Sequence, residues 1–378
     1  MSDQIDHLVV GAGFFGAVVA ERLARYGRKV LLIDRRQHIG GNSWSVCEPE
    51  TGIEYHPYGN HIFHTSSKEV MRYLEKFTRL NAYCHRVSTL CQNKLYPLPI
   101  NLEVINTFFG KNFSSQEARQ FIKNKIDQDG LKVATNLEEK AVSLIGRELY
   151  EAFIRGYTLK QWGRDPRQLP PGIITRLPMR FDKSRDYFHR SRWQGIPTDG
   201  YAKLFERILA HENIRIETGV DFHDIKNMVK ITRETVFTGP IDDYFETVLG
   251  PLDWRSVRFK INRRPVKNYQ QSATVNFADV DIPHTRIHEP KHLHPERNYP
   301  RAHGKTLVIH EYPENNPHEP YYPICSSENL ALLRRYQKLA RKEVPETVFG
   351  GRLGSYAYLD MDMTIASALA CARSLITS

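Results

Sequence analysis

A glycine triplet set between a short apolar run and an amphipathic one constrains this chain more than any other feature. Residues 5–10 (IDHLVV) read as a buried strand, and GAGFFG follows at 11–16. A helix then runs through Arg25, and a second strand spans Lys29 to Asp34. Gly11, Gly13 and Gly16 thus match GxGxxG with a strand running in and a helix running out, the context that gives the pattern meaning. The first two glycines permit a tight turn and a close approach of backbone to a pyrophosphate. The third lets helix and strand pack closely, and the helix N-terminus turns its positive end toward the phosphates. Asp34 ends the second strand, near the spacing expected of a carboxylate that accepts from a ribose hydroxyl, and Arg35 follows it.

The loop after the acidic residue narrows the choice of dinucleotide. IGGNS at 39–43 places a second glycine turn, with Gly41 and Asn42, directly behind Asp34. It resembles FAD-binding Rossmann proteins, in which this loop approaches the flavin diphosphate; a nicotinamide dehydrogenase needs no such loop. The C-terminal segment FGGRLGSYAYLDMDMTIASAL points the same way. Gly350 and Gly351 allow close backbone approach, Arg352 can meet a phosphate, and a helix begins near Asp362. A helix N-terminus aimed at a flavin stabilises negative charge on the reduced ring. The expected cofactor is FAD, and no second GxGxxG offers a nicotinamide site.

The remaining pattern predicts a mixed α/β (α+β) chain. A FAD-binding Rossmann-like domain is interrupted by a helical insertion and an antiparallel β-sheet domain. The expected partition assigns 1–80, 196–252 and 345–378 to the FAD unit and 100–180 to a helical domain carrying a mobile lid. It assigns 81–99, 181–195 and 253–344 to the antiparallel sheet. Ser66 with Glu69, Ser114 with Glu117 and Asn136 with Glu139 read as capping pairs. Residues 83–99 resemble a β-hairpin with a Pro-rich exit, and SVRFKI, ATVNFA, TRIHE and TLVIHEY alternate as strands do. Gly200 to Ala210, Ser327 to Lys342 and Met363 to Ile376 read as helices, and Glu234 to Thr238 as a strand.

Composition removes several function classes. Hydrophobic residues make up 40% of the 378 and charged residues 25%, an ordinary globular balance. The run Leu8 to Ala20 is broken by three glycines and falls short of the roughly 20 residues of a membrane span. No basic segment precedes it, so neither membrane insertion nor a signal peptide is expected. The five cysteines are scattered and form no CxxC pair, which argues for reduced thiols, no metal site and a cytoplasmic location. The net charge of +10 comes without a dense basic tract, so nucleic acid is not an expected partner.

GNHIFHT (59–65), FIRGYTLKQWGR (153–164), IITRLPMRF (173–181), YFHRSRWQGIPTDGY (187–201), VNFAD followed by HTRI (275–287), EPYYP (319–323) and GGRLGSYAYLDMD (350–362) resemble bacterial UDP-galactopyranose mutases. The resemblance runs in order over nearly the whole chain. It implies a homodimeric isomerase that interconverts UDP-galactopyranose and UDP-galactofuranose without net redox change. In that family the reduced flavin's N5 attacks the anomeric carbon, UDP leaves, the sugar ring opens and recloses, and UDP returns. By the same resemblance Arg176 and Arg286 hold the diphosphate, a task suited to a permanently charged, bidentate guanidinium. Tyr322 and Tyr358 reach the diphosphate, with Tyr321 as a possible substitute for the first. Phe153, Tyr157, Thr158, Trp162, Tyr187 and Asn276 surround the uridine, although Phe153 and Tyr157 also fit a helix core stripe. Arg255 joins the substrate set. His61 and Ile62 lie beside the flavin, as do Phe15, Leu359, Asp360, Met361, Met363 and Thr364. His85 departs from the pattern, since some members carry Asn near the sugar, and Asn60 replaces a small residue or proline. The stretch between Arg164 and Arg176 follows the family's lid. Two further readings stand beside this one, a UDP-N-acetylgalactosamine mutase and an FAD-dependent oxidoreductase sharing the fold.

Overall fold

The computed structural model describes residues 4–130, 133–174, 179–316 and 319–377. The strand His7–Val10 is the centre of a five-stranded, all-parallel sheet. Val30–Asp34 and Ile214–Thr218 lie on one side of it, Thr235–Phe237 and Thr347–Phe349 on the other. Val30–Asp34 is buried throughout, as parallel strands covered by helices on both faces are. The helix Phe14–Arg25 is sunk against this sheet and covered by the last helix, Met361–Thr377. Glycine at two positions makes that packing possible. Gly11 has φ +101°, and a Cβ on Gly16 would lie 1.9 Å from the Gly11 carbonyl oxygen.

The second sheet has seven strands in the order Tyr322–Pro323, Trp254–Arg264, Thr306–Glu314, Arg286–His288, Thr274–Phe277, Val87–Cys91, Lys94–Leu98. The expectation of an antiparallel sheet needs one correction. Thr274–Phe277 runs parallel to Val87–Cys91, so the sheet is mixed. A parallel neighbour requires a long crossover, and residues 92–273 supply it, carrying a helical cluster and two strands of the parallel sheet. Leu102–Phe109, Ser115–Asp129, Leu137–Ile145 and Gly156–Trp162 pack around a core of their own, with a π-turn at Glu151–Arg155.

Ser114 and Glu117 form a complete capping box. Asn136 caps its helix alone, because the Glu139 carboxylate accepts from Thr135 instead. The cap of Lys68–Leu74 is Ser67, not Ser66. Ser66 is engaged by the Arg190 carbonyl and the Arg192 amide, and Glu69 pairs with Arg373 at 2.5 Å. Residues 164–174 form two 3₁₀ turns, Pro166–Gln168 and Pro171–Ile174, with Leu169 buried among the helices. Arg176 lies outside the described residues. Among those residues no helix is long and apolar enough to cross a membrane, and no group of three His, Cys, Asp or Glu side chains could hold a metal.

One buried amide ties together three segments far apart in sequence. Asn81 Oδ1 accepts from the amides of Ile196 (2.9 Å) and Tyr83 (3.2 Å). Its Nδ2 donates to the Leu293 carbonyl at 2.9 Å and to the Glu296 carboxylate at 3.2 Å. Asn81→Ala leaves two main-chain donors and an acceptor without partners. We expect a loss of about 2–5 kcal/mol, seen as a lower urea midpoint at an unchanged m-value; a loss below about 0.5 kcal/mol would remove this residue's structural role.

Candidate active site

Two cavities meet beyond the carboxyl ends of the parallel strands, where ligands of open α/β sheets bind. The first encloses about 1310 Å³, open solvent included. Gly11, Gly13, Phe15 and Gly16 line it from the glycine turn, and Asp34, Arg35, Gly41 and Asn42 from the next loop. Gly351, Arg352, Leu359, Met361 and Thr364 line it from the C-terminal segment. The two glycine loops close tightly on one another: a Cβ on Gly41, where φ is +56°, would come 3.1 Å from the Gly13 Cα. Asp34 holds this geometry, its carboxylate accepting from the amides of Ala12 and Arg36, each at 2.8 Å. A cradle of bare backbone N–H groups, a helix N-terminus and a carboxylate at the strand end fits a dinucleotide.

Sequence reasoning missed Arg36. Its guanidinium donates to Asn42 Oδ1 at 2.8 Å and to Glu319 at 2.9 Å, and lies 4.1 Å from the Tyr58 ring centre. The Arg-Arg pair at 35–36 marks the place, but only the fold shows that Arg36 ties the second glycine loop to the distant Glu319.

The second cavity, about 1550 Å³ with open solvent, shares Asn42, His61, Arg352 and Met361 with the first. His61 therefore stands at the junction. Its main-chain N–H donates to His56 Nδ1 (2.9 Å), and its carbonyl accepts from the Tyr201 hydroxyl (3.1 Å). Its Nδ1–H donates to the Gly59 carbonyl at 2.6 Å, which leaves Nε2 as an acceptor in the neutral ring. Burial lowers its pKa to about 4, so the ring is neutral near pH 7.

Ile62, His85, Tyr187, Asn276, Arg286, Tyr322, Tyr358 and Asp360 line the second cavity, as does Tyr321. Arg286 and Glu311 face each other across neighbouring strands, and the guanidinium donates to the carboxylate at 2.8 Å. His288 Nε2 donates to the other carboxylate oxygen at 3.0 Å. Burial opposes ionisation of Glu311, but Arg286 and then His288 outweigh it and hold its pKa near 2. Burial likewise opposes the charge on Arg286, and Glu311 raises its pKa well above the usual value. Tyr322 and Tyr358 stack with ring centres 5.7 Å apart, and the Arg352 guanidinium lies 5.8 Å and 5.0 Å from them. Arg352 also donates to the Leu359 carbonyl at 2.7 Å, fixing the C-terminal segment. Asn276 Oδ1 is buried beside the cavity without a partner among the described residues. Neither Glu311 nor His288 stands out in sequence, where each is one polar residue in an alternating strand.

Other residues of the expected set do not line either cavity. Phe153 packs in the helical core against Tyr96 and Phe108, the core-stripe alternative. Thr158 is buried and Trp162 half-buried, its ring 6.3 Å from Tyr322. Tyr157 stands behind Arg286, whose guanidinium lies 5.6 Å from its ring, and its buried hydroxyl has no partner among the described residues. Arg255 is buried with its guanidinium turned to the carbonyls of Gln161 (2.9 Å) and Lys160 (3.0 Å) and to Asn315. In this arrangement it fastens the helix Gly156–Trp162 to the sheet. Asp362 and Met363 sit on the first turn of the last helix, outside the cavity lining.

A family model described as UDP-galactopyranose mutase matches residues 152–358, and one described as an NAD(P)-binding Rossmann-like domain matches 9–77. The chain is 41% identical to a probable UDP-galactopyranose mutase of Klebsiella pneumoniae, over 98% of this chain and 94% of that protein. It is 36% identical to a dTDP-fucopyranose mutase of Escherichia coli, over 98% of each chain. A crystal structure of reduced UDP-galactopyranose mutase superposes with a TM-score of 0.75 at 15% identity, covering 99% of this chain and 96% of that one.

His85 supplies a pH-dependent test of the buried site. Burial first, then His288 and Arg286, lower its pKa to about 3. Unfolded His85 therefore takes up a proton near pH 6.5 and folded His85 only near pH 3, so it draws stability out of the fold as pH falls between those values. His85→Asn should flatten the acid side of the stability curve by about 1.4 kcal/mol per pH unit. Urea unfolding of the two proteins at pH 7 and pH 5 measures the difference; parallel curves would contradict a neutral, buried ring.

Proposed function

Because the chain belongs to the UDP-galactopyranose mutase family, a family of flavoproteins acting on sugar nucleotides, we propose that it interconverts UDP-galactopyranose and UDP-galactofuranose with reduced FAD in the first cavity. The observation that carries this reading is the junction. A cavity suited to a dinucleotide opens at His61 into a second one walled by Arg286, Tyr322 and Tyr358. When bound, reduced flavin supplies the nucleophile for the anomeric carbon, so the chain needs no nucleophilic side chain of its own.

The chain's own residues bind, orient and neutralise. Arg286 meets the diphosphate and stabilises it as it leaves with growing charge. Glu311 offsets the guanidinium until a phosphate competes for it and keeps Arg286 aimed into the cavity. Tyr322 and Tyr358 donate hydroxyls to the same phosphates, and the family resemblance assigns Arg176 to the diphosphate as well. Asn276 offers a buried oxygen to the uridine and Tyr187 lines the same cavity, while Tyr157 backs Arg286 and the helix carrying Thr158 and Trp162 supports that wall. His61, neutral with Nε2 free to accept, faces the flavin. Five free thiols suit a reducing, cytoplasmic compartment, and a homodimer is the assembly proposed from the resemblance.

The 36% identical dTDP-fucopyranose mutase makes substrate choice the discriminating measurement. Anaerobic, dithionite-reduced protein is to be given UDP-galactofuranose, its N-acetylated analogue and dTDP-fucofuranose, with products separated by chromatography. We expect the highest kcat/KM for UDP-galactofuranose and no turnover before reduction. A higher value for either competitor replaces the substrate assignment, and brisk turnover by oxidised protein removes the flavin chemistry. Arg286→Ala should lower kcat/KM by about 100-fold or more while the protein stays yellow. Activity near the wild-type level would take the diphosphate role away from it.

A further inference from the structure

We propose that Tyr83, which touches neither cavity, is a positioning residue that fixes His85 as a neutral imidazole with its proton on Nε2, presented as a donor to a sugar hydroxyl. The inference rests on the proposed function for the identity of the ligand, but not for the state of the ring.

Tyr83 is buried, and its hydroxyl lies 3.0 Å from His85 Nδ1. Either atom could hold the shared proton, and counting partners decides between them. Among the described residues Nδ1 is the one acceptor the tyrosine proton has. If Nδ1–H donated to the phenol oxygen instead, the tyrosine proton would be left buried without an acceptor among these residues, which is the unfavourable case. The hydroxyl therefore donates to Nδ1, and in the neutral ring the proton must sit on Nε2.

The ring cannot turn away from this arrangement. Its main-chain N–H donates to Gln194 Oε1 at 3.0 Å, and Gln194 is held in turn by the Asp186 carboxylate at 2.9 Å. Tyr187 and Phe188 flank the imidazole, each with ring centres 5.5 Å away. Nε2 has no protein hydrogen bond among the described residues, and His85 lines the cavity. His288, Arg286 and His64 also oppose a second proton on the ring. A substrate oxygen satisfies the Nε2–H, whereas a methyl group at that place would leave it unpaired. An asparagine in place of His85 presents an N–H whatever Tyr83 does.

Two measurements test this. In flavin-loaded protein with ¹⁵N-labelled histidine, the imidazole signals missing from His85→Asn identify His85. Wild type should show the Nε2–H pattern, and Tyr83→Phe should shift the ring toward a mixture or the Nδ1–H form. This readout holds even if UDP-galactofuranose proves not to be the substrate. With that substrate, Tyr83→Phe should raise KM three- to tenfold with kcat within twofold, but change KM less than twofold in the His85→Asn background. Flavin content and thermal midpoint verify folding in each variant. An Nδ1–H pattern for His85 in wild type overturns the proposal, as does an equal KM penalty in both backgrounds.

Discussion

The second cavity depends on a charge pair set by strand register. Arg286 and Glu311 are direct cross-strand partners, so the register that closes the sheet also delivers a guanidinium to the cavity wall. Such a pair contributes little net stability, because both ions surrender hydration to be there. Its value is positional. Removing Glu311 would leave a half-buried cation free to turn toward other acceptors, and removing the cation would leave an unpaired buried carboxylate. His288 occupies the remaining carboxylate oxygen, and its Nδ1 lies 3.2 Å from Thr274 Oγ1 on the next strand. Three adjacent strands are thereby joined through one carboxylate.

The junction between the cavities is fixed with similar economy. His56 and Tyr201 grip the main chain of His61 from its two sides, while the imidazole is tied to Gly59. Arg352 does the corresponding work on the opposite wall, binding the Leu359 carbonyl and lying over two tyrosine rings. Neither holding arrangement depends on a ligand, so the walls of both cavities are organised in advance of binding.

What was legible in the sequence follows from what has a local signature. The glycine turn is legible because only glycine satisfies Gly11's positive φ and Gly16's contact with a carbonyl oxygen. Motif resemblance extends that certainty to the family, and it brings most of the cavity lining with it. Properties set at long range were not legible. The parallel pairing of Val87–Cys91 with Thr274–Phe277 depends on where a distant strand returns. Arg255 looks like a ligand-binding arginine until the fold brings three acceptors to it, two of them main-chain carbonyls. Phe153 has a spacing common to core and pocket, and the core claims it. The one-residue shift from Ser66 to Ser67 arises because tertiary partners occupy the first serine.

The order of strands in the two sheets has a bearing on how the molecule is made. One edge strand of the parallel sheet, Thr347–Phe349, and the helix that covers Phe14–Arg25 are both far in sequence from the glycine turn they complete. Gly350 presses against the ring of Phe15, and Tyr322–Pro323 closes the other sheet. The helical cluster is drawn mostly from one stretch of sequence and can gather early, but the cradle around the glycine turn lacks a wall until these distant segments dock on it. A dinucleotide-sized cavity therefore exists only once contacts between segments far apart in sequence have formed, and until then the apolar side of Phe14–Arg25 is a surface for a chaperone to shield.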